Sequence, residues 1–449
     1  MNIYLSMAMT NVMDKSNPPY SLLVLASVVE NTGHKIKIIF PLELENFLKN
    51  PENLNDCDIF GISTNSFNWY ATKRIIQIIH RQNPHIIIVL GGVHPTFFHE
   101  HCLQSTSAQI VVRDEGEITF PAVIEALEKN SPLSNIQGIS YKTADGEVIV
   151  NDSRPLLTED ALSKLPVPAY HMIPPGLYSF IPIETSRGCL FKCIFCGIPF
   201  PRGVRLISID KIARVLHTLG QPNNKLSANT LFLSDDSFSA NKKHAISVLE
   251  LIRETNPNFS IGCEARITEI MKNELIPHFE KVNVYMIQIG VECGYDEGLK
   301  KIRKQLTIKE ALEFARRCAY AAFHYQLYWS FLIGLPWERE QEILKTINFG
   351  FNCAVLSRSQ QPQINNFAPY PGSELVLNHE QYGLPQITPE LYDHANWYQS
   401  FLKYSNTSPL NRDFIMQYIY QRHQYHPNFP WMPFIQLPDG TLLDNRTLQ

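Results

Sequence analysis

Three cysteines stand close together in the segment ETSRGCLFKCIFCGIP, which covers residues 184–199. They are Cys189, Cys193 and Cys196, and the other six of the nine cysteines are scattered along the chain. Thiolates are the usual ligands of iron–sulfur clusters, and a loop that follows a strand can wrap such a cluster. Electron-transfer clusters take four protein ligands, whereas three leave one iron open to a substrate or cofactor. The spacing therefore predicts a [4Fe–4S] cluster with one open iron.

A zinc site is the alternative for the same cysteines. Structural zinc takes four ligands, and the nearest histidines, His171 and His217, lie outside any familiar ligand spacing. The cysteines are odd in number and scattered along the chain, so they do not form a disulfide framework either. Cys263 and Cys293 lie at the ends of predicted strands near the site, where a lone cysteine is usually a small buried apolar residue. The spacing favours a single cluster over zinc or over unliganded thiols.

The first 130 residues alternate short apolar runs with helical patterns. Helices are predicted at 20–32, 69–82 and 118–129. Strands are predicted at 2–8, 35–40, 58–64, 85–92 and 109–113. Strands that alternate with helices predict an α/β fold with a parallel, doubly wound sheet. Ligands of such sheets bind outside the carboxyl ends of the strands.

A second alternating region follows a predicted connector at residues 131–175, which contains a hairpin that turns at Asp145 and Gly146. The strands of this second region are predicted at 181–186, 230–234, 260–265, 284–291, 327–334 and 363–368, with helices such as 308–324 between them. Six such units predict a partial or full parallel β/α barrel over residues 176–375. Residues 376–449 are rich in Tyr, Trp, Pro and Asn, and we expect them to contribute to a substrate pocket.

The composition gives no sign of a nucleic-acid or membrane partner. The 449 residues are 44% hydrophobic and 18% charged, with a net charge of −4, so two or three ordinary globular domains are expected. The N-terminal segment MNIYLSMAMTNVMDK has no basic region followed by a long apolar run, as a signal peptide would. No stretch reaches the roughly 18 apolar residues of a membrane span. A cytoplasmic protein is expected.

Several segments, taken with the cysteine motif, resemble the radical SAM superfamily, whose signature is C-x3-C-x-aromatic-C. Phe195 occupies the aromatic place before Cys196. The branch with an N-terminal cobalamin-binding domain is similar in the segments PPYSLLVLASVVENTGHKIKII, GGVHPT, RDEGEITF, LFLSDDSFSAN, QIGVECGYDEGLKKIRKQLT, FLIGLPWE and FAPYPGSEL. The resemblance implies a flavodoxin-like cobalamin-binding domain at residues 1–130, a radical SAM β/α partial barrel at 176–375, and a small C-terminal region.

The resemblance also implies a site for S-adenosylmethionine (SAM). In the family, the amino and carboxylate groups of SAM bind the open iron, and strand ends hold the rest of the molecule. A carboxylate can accept hydrogen bonds from ribose hydroxyls or the ammonium group, and an arginine can fork onto the SAM carboxylate. For each of these charged residues, the alternative to SAM binding is an ion pair inside the barrel. The implied SAM-binding residues are Phe195, Asp235, Glu264, Arg266 and Glu292.

The implied cobalamin site lies at strand ends of the first domain. Its residues are Ser63, Thr64, Gly91, Gly92, His94, Glu115 and Gly116. The glycines would allow close approach of the backbone to a bulky ligand. The D-x-H-x-x-G motif, which supplies a histidine to cobalt in other cobalamin proteins, is missing. We therefore predict that no protein histidine binds cobalt, and that His94 either lines the corrin or makes a local loop hydrogen bond. A nucleotide-binding sheet is the alternative, but G-x-G-x-x-G and P-loop motifs are also missing.

The chemistry that the resemblance implies is C-methylation of a small-molecule or peptide substrate. An external electron donor such as flavodoxin or ferredoxin would reduce the cluster, SAM would yield a 5′-deoxyadenosyl radical, and methylcobalamin would supply the methyl group. The alternative is a cobalamin-assisted rearrangement, cyclisation or oxidation without net methyl transfer. A third interpretation is a non-catalytic sensor of cobalamin or SAM. Loss of a cluster cysteine would favour a sensor, and all three are present.

Overall fold

The computed structural model describes residues 1–9, 17–198, 203–221, 226, 229–359, 362–402, 417–418, 434–436 and 442–444. Its contacts form two compact units. The first unit comprises residues 1–183, 207–228 and 388–395, and the second comprises 184–206, 229–387 and 396–449. The domain boundaries drawn from the sequence after residues 130, 175 and 375 stay predictions.

A seven-stranded sheet forms the centre of the first unit, in the order β2-β1-β3-β4-β5-β6-β7. The first five strands are parallel. Strands β3 and β4 are apolar and buried along most of their length, as strands covered on both faces are. The predicted parallel α/β fold is confirmed. The strands are β1 (Asn2–Met7), β2 (Lys35–Ile39), β3 (Ile59–Ser63), β4 (Ile87–Gly91), β5 (Ile110–Val112), β6 (Ile139–Lys142) and β7 (Val148–Val150).

The predicted hairpin forms β6 and β7, and Gly146 takes a φ of 85° in its turn. Strand β6 pairs antiparallel with β5, so the hairpin extends the first sheet by two strands. This part of the predicted connector therefore belongs to the first sheet. The short strand β8 (Ile181–Ile183) ends the first stretch of the unit.

The helices of the first unit include three that the sequence did not predict, α2, α4 and α6. Helix α4 begins after Gly92 and has Pro95 as its third residue. Proline is tolerated in the first turn because the N–H groups there have no partner within the helix. The helices are α1 (Tyr20–Glu30), α2 (Pro41–Leu48), α3 (Trp69–Gln82), α4 (Val93–Gln104), α5 (Gly116–Glu128), α6 (Glu159–Lys164) and α7 (Ile209–Leu219).

The second unit contains five parallel strands, β11 to β15, that lie side by side in chain order. Its strands are β9 (Ser186–Arg187), β10 (Arg205–Leu206), β11 (Thr230–Leu233), β12 (Ser260–Ala265), β13 (Asn283–Glu292), β14 (Leu327–Ile333), β15 (Gln363–Asn366), β16 (Phe434–Gln436) and β17 (Leu442–Asp444). Its helices are α8 (Lys242–Thr255), α9 (Ile267–Lys272), α10 (Ile276–Phe279), α11 (Asp296–Lys301), α12 (Ile308–Cys318), α13 (Glu340–Ser357), α14 (Glu374–Leu377) and α15 (Trp397–Leu402). This alternation is the predicted β/α architecture.

The two faces of this second sheet differ in polarity. On one face, large side chains such as Trp329 and Phe331 are fully buried, and helix α13 packs against β14. On the other face, most of the side chains that are exposed or half-exposed are polar, although the half-buried Leu332 pairs with Asn365 there. We call this the polar face, and it comprises Glu264, Gln288, Tyr328, Gln363 and Asn365. Strands of a parallel sheet are usually apolar on both faces, so the polar face indicates a surface built for a ligand.

Residues 388–395 of the predicted C-terminal region join the first unit. Asp393 accepts a hydrogen bond from Trp69 Nε1 at 2.8 Å, lies 2.9 Å from Lys73 Nζ, and contacts His101 Nε2 at 3.1 Å. Much of the rest of residues 376–449 lies outside the described residues, so its role in a substrate pocket stays a prediction. Within the described ranges, no helix is long and apolar enough to cross a membrane.

Candidate active site

A two-stranded ribbon closes the base of the cysteine loop. Strands β9 and β10 pair antiparallel, with Arg187 opposite Arg205. Gly188 follows with a φ of 93°, and a Cβ there would lie 2.4 Å from the carbonyl oxygen of Gly203. Only glycine fits such a position. The N–H of Gly203 donates to the carbonyl of Cys189 at 3.2 Å, so the ribbon fixes both ends of the loop.

The three thiols lie in this loop, with Cys189 and Cys193 buried and Cys196 half-buried. The N–H of Cys196 donates to the Cys193 carbonyl at 3.2 Å. Burial raises the pKa of the Cys189 thiol, while the Phe191 backbone amide acts in the opposite direction and favours the thiolate. No three Cys, His, Asp or Glu side chains in the described part of the chain are arranged as a ligand set for a metal ion. The cysteines remain the predicted cluster ligands because of their spacing.

Asp235 binds the residues that directly precede the cysteine loop. Its Oδ1 accepts the Thr185 N–H at 2.7 Å, and its Oδ2 accepts the Thr185 hydroxyl at 2.5 Å and the Ser186 hydroxyl at 2.6 Å. Burial raises the pKa of this carboxyl to about 6, although the three hydrogen bonds favour the ionised form. The neighbouring Asp236 accepts the Gly188 N–H at 2.8 Å. Asp235 therefore positions the loop, and its predicted contact with SAM stays a prediction.

Residues 302–304 support the middle of the loop. The Ile194 N–H donates to the Ile302 carbonyl at 3.3 Å, and the Cys193 Sγ lies 3.9 Å from the Arg303 carbonyl oxygen. Arg303 takes a φ of 56°, which is uncommon for a residue with a side chain. These residues belong to the segment QIGVECGYDEGLKKIRKQLT, so part of its role is to hold the cysteine loop.

Arg266 also contacts the loop directly. Its Nη1 donates to the Cys193 Sγ at 3.5 Å, and its Nη2 donates to the carbonyl of Lys304. The guanidinium carbon lies 3.5 Å from the centre of the Phe191 ring. The Arg266 Nε is buried and has no hydrogen-bond partner among the described residues. Two of the three guanidinium nitrogens are thus committed to protein groups, which leaves little of the fork for a SAM carboxylate.

Glu292 and Lys304 form a buried ion pair beside Arg266. The Glu292 Oε1 lies 2.9 Å from the Lys304 Nζ, and both side chains are buried. Glu292 takes a φ of 77°, and a Cβ on Gly290 would lie 2.4 Å from its carboxylate. Strained backbone of this kind costs about 1–3 kcal/mol and is concentrated at functional sites. The predicted site included Glu292 but missed Lys304, although Lys304 lies in the same quoted segment.

Glu264 and Tyr370 complete the surroundings of the loop. The Glu264 side chain is exposed at the surface of the sheet. Partial desolvation by the surrounding protein raises the pKa of its carboxyl, and the Glu292 carboxylate raises it further. The Tyr370 side chain is 44% exposed, but desolvation by the protein around it raises the pKa of its hydroxyl, and the nearby Cys196 and Glu292 raise it further. Tyr370 lies in the segment FAPYPGSEL, which resembles the family, but it was not among the predicted site residues.

The carboxyl edge of the first sheet is shaped by Gly92 and Thr64. Gly92 has a φ of 97°, and a Cβ there would lie 2.5 Å from the Thr64 carbonyl oxygen. The Thr64 hydroxyl donates to Asn68 Oδ1 at 2.6 Å and accepts from the Thr72 hydroxyl at 3.0 Å. It is therefore used inside the protein, which disfavours the predicted hydrogen bond from Thr64 to the cofactor. A Cβ on Gly91 would meet only one atom, at 3.7 Å, so there is space at this position.

The other predicted cobalamin residues have local structural roles or remain accessible. Glu115 Oε2 accepts the Leu157 N–H at 2.6 Å, and Glu115 is buried. Gly116 begins α5, where a Cβ would lie 3.2 Å from Leu25. Ser63 is half-buried at the end of β3. Cofactor contacts of these three residues stay predictions.

Four large apolar side chains are exposed just beyond strands β1, β3, β4 and β5. They are Met9 at 40% exposed, Phe67 at 41%, Val93 at 39% and Ile118 at 46%. We call them the apolar rim. Sequence reasoning did not single them out, because exposure of an apolar side chain is decided by the tertiary fold. Exposed apolar groups at one edge of a sheet indicate a ligand or partner that covers them.

His94 is fully buried in the first unit. Its Nδ1 lies 3.0 Å from the Ser66 hydroxyl, and its ring stacks on Trp69 with a 4.7 Å centroid separation. Phe98 and Tyr392 contact it edge-on. Burial lowers the pKa of His94 to about 3. Of the two predicted roles, the geometry favours the local loop hydrogen bond over a corrin-lining position.

The buried neutral His94 predicts a loss of stability in acid. A histidine whose folded pKa is lowered stabilises the fold above its unfolded pKa of about 6.5, and that stability is lost as the pH falls toward the folded value. Between pH ~7.5 and pH ~5.5, this one histidine should lower the free energy of unfolding by about 1.4 kcal/mol. His94→Phe should remove that part of the slope in urea unfolding, whereas His171→Phe, at an exposed position, should keep it. Equal slopes in wild type and His94→Phe would contradict the assignment.

The cysteine loop beside a β/α sheet, and the separate doubly wound unit, fit the two kinds of domain that the sequence predicts. Residues 8–124 match the family model of the B12 binding domain, and residues 183–350 match that of the radical SAM superfamily. The chain belongs to the cobalamin-dependent radical SAM enzymes. The predicted family, fold class and cofactors (cobalamin, a [4Fe–4S] cluster and SAM) are thereby confirmed.

The chain is similar in sequence to two curated proteins that are named for different activities. A protein of Pyrococcus horikoshii named as an uncharacterised methyltransferase is 28% identical over 377 residues, which are 82% of this chain and 80% of the relative. The anaerobic magnesium-protoporphyrin IX monomethyl ester cyclase of Rubrivivax gelatinosus is 25% identical over 366 residues, which are 75% of this chain. This chain covers 63% of that cyclase.

Two solved structures share the fold. The radical SAM methyltransferase TsrM from Kitasatospora setae matches with a TM-score of 0.68 and 14% identity, over 85% of this chain and 76% of that chain. The cobalamin-dependent SAM radical enzyme OxsB matches with a TM-score of 0.65 and 19% identity, over 99% of this chain and 64% of that chain. At these identities the likeness establishes the fold alone.

Proposed function

We propose that this enzyme C-methylates a polar small-molecule or peptide substrate, with SAM as the source of both the radical and the methyl group. The observation that carries the proposal is the presence of a three-cysteine loop and a B12 binding domain in one chain. When bound, the cluster supplies the electron that cleaves SAM, and cobalamin carries the methyl group. The protein residues hold these groups, exclude water and orient the substrate.

Within the second unit, Cys189, Cys193 and Cys196 are the proposed ligands of the cluster. Asp235 and residues 302–304 keep the loop in place from two sides. Phe195 lies in this loop, and we retain it as the aromatic member of the motif. Glu264 is the best placed of the predicted SAM contacts, because its carboxylate makes no hydrogen bond among the described residues and faces open space.

The first unit fits a large, partly apolar cofactor. The apolar rim lies where ligands of doubly wound sheets bind, outside the carboxyl ends of the strands. Covering it would remove exposed apolar surface from water, which is favourable. His94 is held by Ser66 and three aromatic rings, which supports the proposal that no protein histidine binds cobalt. The electron paramagnetic resonance spectrum of cob(II)alamin on the enzyme should then be the same in wild type and His94→Phe.

The polar face of the second sheet supports a hydrogen-bonding substrate. Gln288 and Tyr328 lie next to each other in register, and so do Glu264 and Gln288. Gln363 and Asn365 are within 3.4 Å of each other on the neighbouring strand. Asn365 also donates to the Ser330 hydroxyl at 3.5 Å, so this edge-strand pair is partly satisfied within the protein. Gln288 and Tyr328 lie on the central strands β13 and β14, where polar groups are costly to bury without partners. A substrate with hydrogen-bond donors and acceptors would supply those partners, whereas a hydrocarbon would not.

A second candidate is a cobalamin-assisted cyclisation or oxidation without methyl transfer. The likeness to a family member named as a cyclase is the observation that favours it. Under either candidate the cluster needs an external one-electron donor, for which we propose flavodoxin or ferredoxin.

The mass of the product separates the two candidates. Small-molecule extracts of cells with the intact gene are compared by mass spectrometry with extracts of cells that lack it, both grown with methionine labelled with deuterium in its methyl group. C-methylation predicts a compound that appears only with the gene and carries the labelled methyl. A gene-dependent product without label would instead favour cyclisation or oxidation.

A further inference from the structure

Arg266 was a predicted SAM contact, but its surroundings indicate a different role. Its guanidinium is buried, stacked on the Phe191 ring and hydrogen-bonded to the Lys304 carbonyl. The nitrogen that faces the loop, Nη1, donates to the Sγ of Cys193 at 3.5 Å. The side chain is therefore held with a positive charge against one cysteine of the cluster loop.

We propose that Arg266 raises the reduction potential of the [4Fe–4S] cluster by hydrogen bonding to the Cys193 sulfur. The inference rests on the proposed function, because it requires the cluster to be bound by this loop. One-electron reduction adds a negative charge to the cluster and its thiolates. A fixed cation that donates a hydrogen bond to a ligand sulfur stabilises the reduced state more than the oxidised one.

The immobility of Arg266 strengthens this effect. A charge-assisted hydrogen bond is stronger where water is excluded, and a side chain that is already fixed loses no further entropy on reduction. The stack on Phe191 and the bond to Lys304 keep Nη1 directed at Cys193. A lysine at this position could not satisfy both the carbonyl and the sulfur in the same way, because it lacks the planar fork.

Arg317 offers a control. It lies in helix α12, its guanidinium pairs with Glu313 at 2.9 Å, and its side chain is 56% exposed. Its charge is therefore neutralised and screened by solvent. Arg317→Gln removes an arginine of the same unit without removing a hydrogen bond to Cys193.

The experiment measures the midpoint potential of the reconstituted cluster without SAM, by titration with dithionite followed by electron paramagnetic resonance. Arg266→Gln should shift the potential to a more negative value than wild type, and Arg317→Gln should leave it unchanged. Arg266→Lys should also lower the midpoint potential, but by less than Arg266→Gln. If the glutamine variant does not retain its cluster, the lysine variant serves as the test. SAM affinity, followed by the spectral change on SAM binding, should stay close to that of wild type.

Two results would overturn the inference. The first is a cluster whose SAM-free potential is the same in wild type and all three variants. The second is an unchanged potential with a loss of SAM affinity of about tenfold or more, which would assign Arg266 to the SAM carboxylate. Failure of the wild-type protein to assemble any cluster would instead contradict the proposed function, so the two failures are distinguishable.

Discussion

Replacement of Cys189, Cys193 and Cys196 together by alanine is expected to remove the cluster and to abolish 5′-deoxyadenosine formation. The wild-type protein should bind about four iron and four sulfide ions per chain after anaerobic reconstitution. The triple variant has no thiolates in the loop, so its visible iron–sulfur absorbance should disappear. SAM cleavage should fall to the rate without enzyme, because no electron can then reach SAM through a cluster. Iron and sulfide analysis and chromatography of nucleosides measure both effects.

The control for this prediction is Cys318→Ala. Cys318 lies at the end of helix α12, fully buried and away from the cysteine loop. This variant should keep the iron content and the nucleoside product of wild type. A triple variant that retains the full iron and sulfide content would show that the cluster is bound elsewhere.

Loss of the Lys304 amine is expected to have the largest effect on stability. Lys304→Met leaves the Glu292 carboxylate buried without its cation, which costs about 3–5 kcal/mol in comparable buried pairs. The carbonyl of residue 304, which accepts from Arg266, is retained in this variant. Urea unfolding of the protein without cofactors measures the change in the free energy of unfolding.

The double variant Lys304→Met/Glu292→Gln is the matched control. It removes the uncompensated charge together with the cation, so it should recover most of the stability that the single variant loses. Equal stability of the single variant and wild type would show that Glu292 finds another partner or is hydrated. Such a result would contradict a large contribution of the ion pair to stability.

The strands were the most predictable part of the fold. Buried parallel strands are short apolar runs between turns, so β1 to β5 and β11 to β15 begin and end within a few residues of their predicted limits. Helix α4 escaped prediction because its sequence, VHPTFFHEHCLQ, has a proline near the start and no regular apolar period. Hydrophobic periodicity is informative only where one face of a helix is buried and the other is exposed.

The candidate site was predictable in its cysteines and much less so in its partners. The three cysteines are local in sequence, and their spacing alone indicates the chemistry. The groups that hold them are distant: Thr185 bonds Asp235 across 50 residues, and Arg266 bonds Cys193 across 73. No periodic or local pattern encodes such pairs. The internal roles of Thr64 and His94 were likewise decided by tertiary packing.

The fate of SAM tests the central claim most directly. The purified enzyme, loaded with cluster and cobalamin, is supplied with a reductant, SAM and the substrate, which is the unmethylated precursor of the gene-dependent product found by mass spectrometry. The amounts of 5′-deoxyadenosine and S-adenosylhomocysteine formed from SAM are then measured. Radical methylation through cobalamin predicts 5′-deoxyadenosine and S-adenosylhomocysteine in similar amounts, together with a methylated product. 5′-Deoxyadenosine alone, with a product that gains no methyl group, would contradict methyl transfer and support cyclisation or oxidation. S-adenosylhomocysteine alone, with a methylated product, would show that the enzyme methylates without hydrogen abstraction.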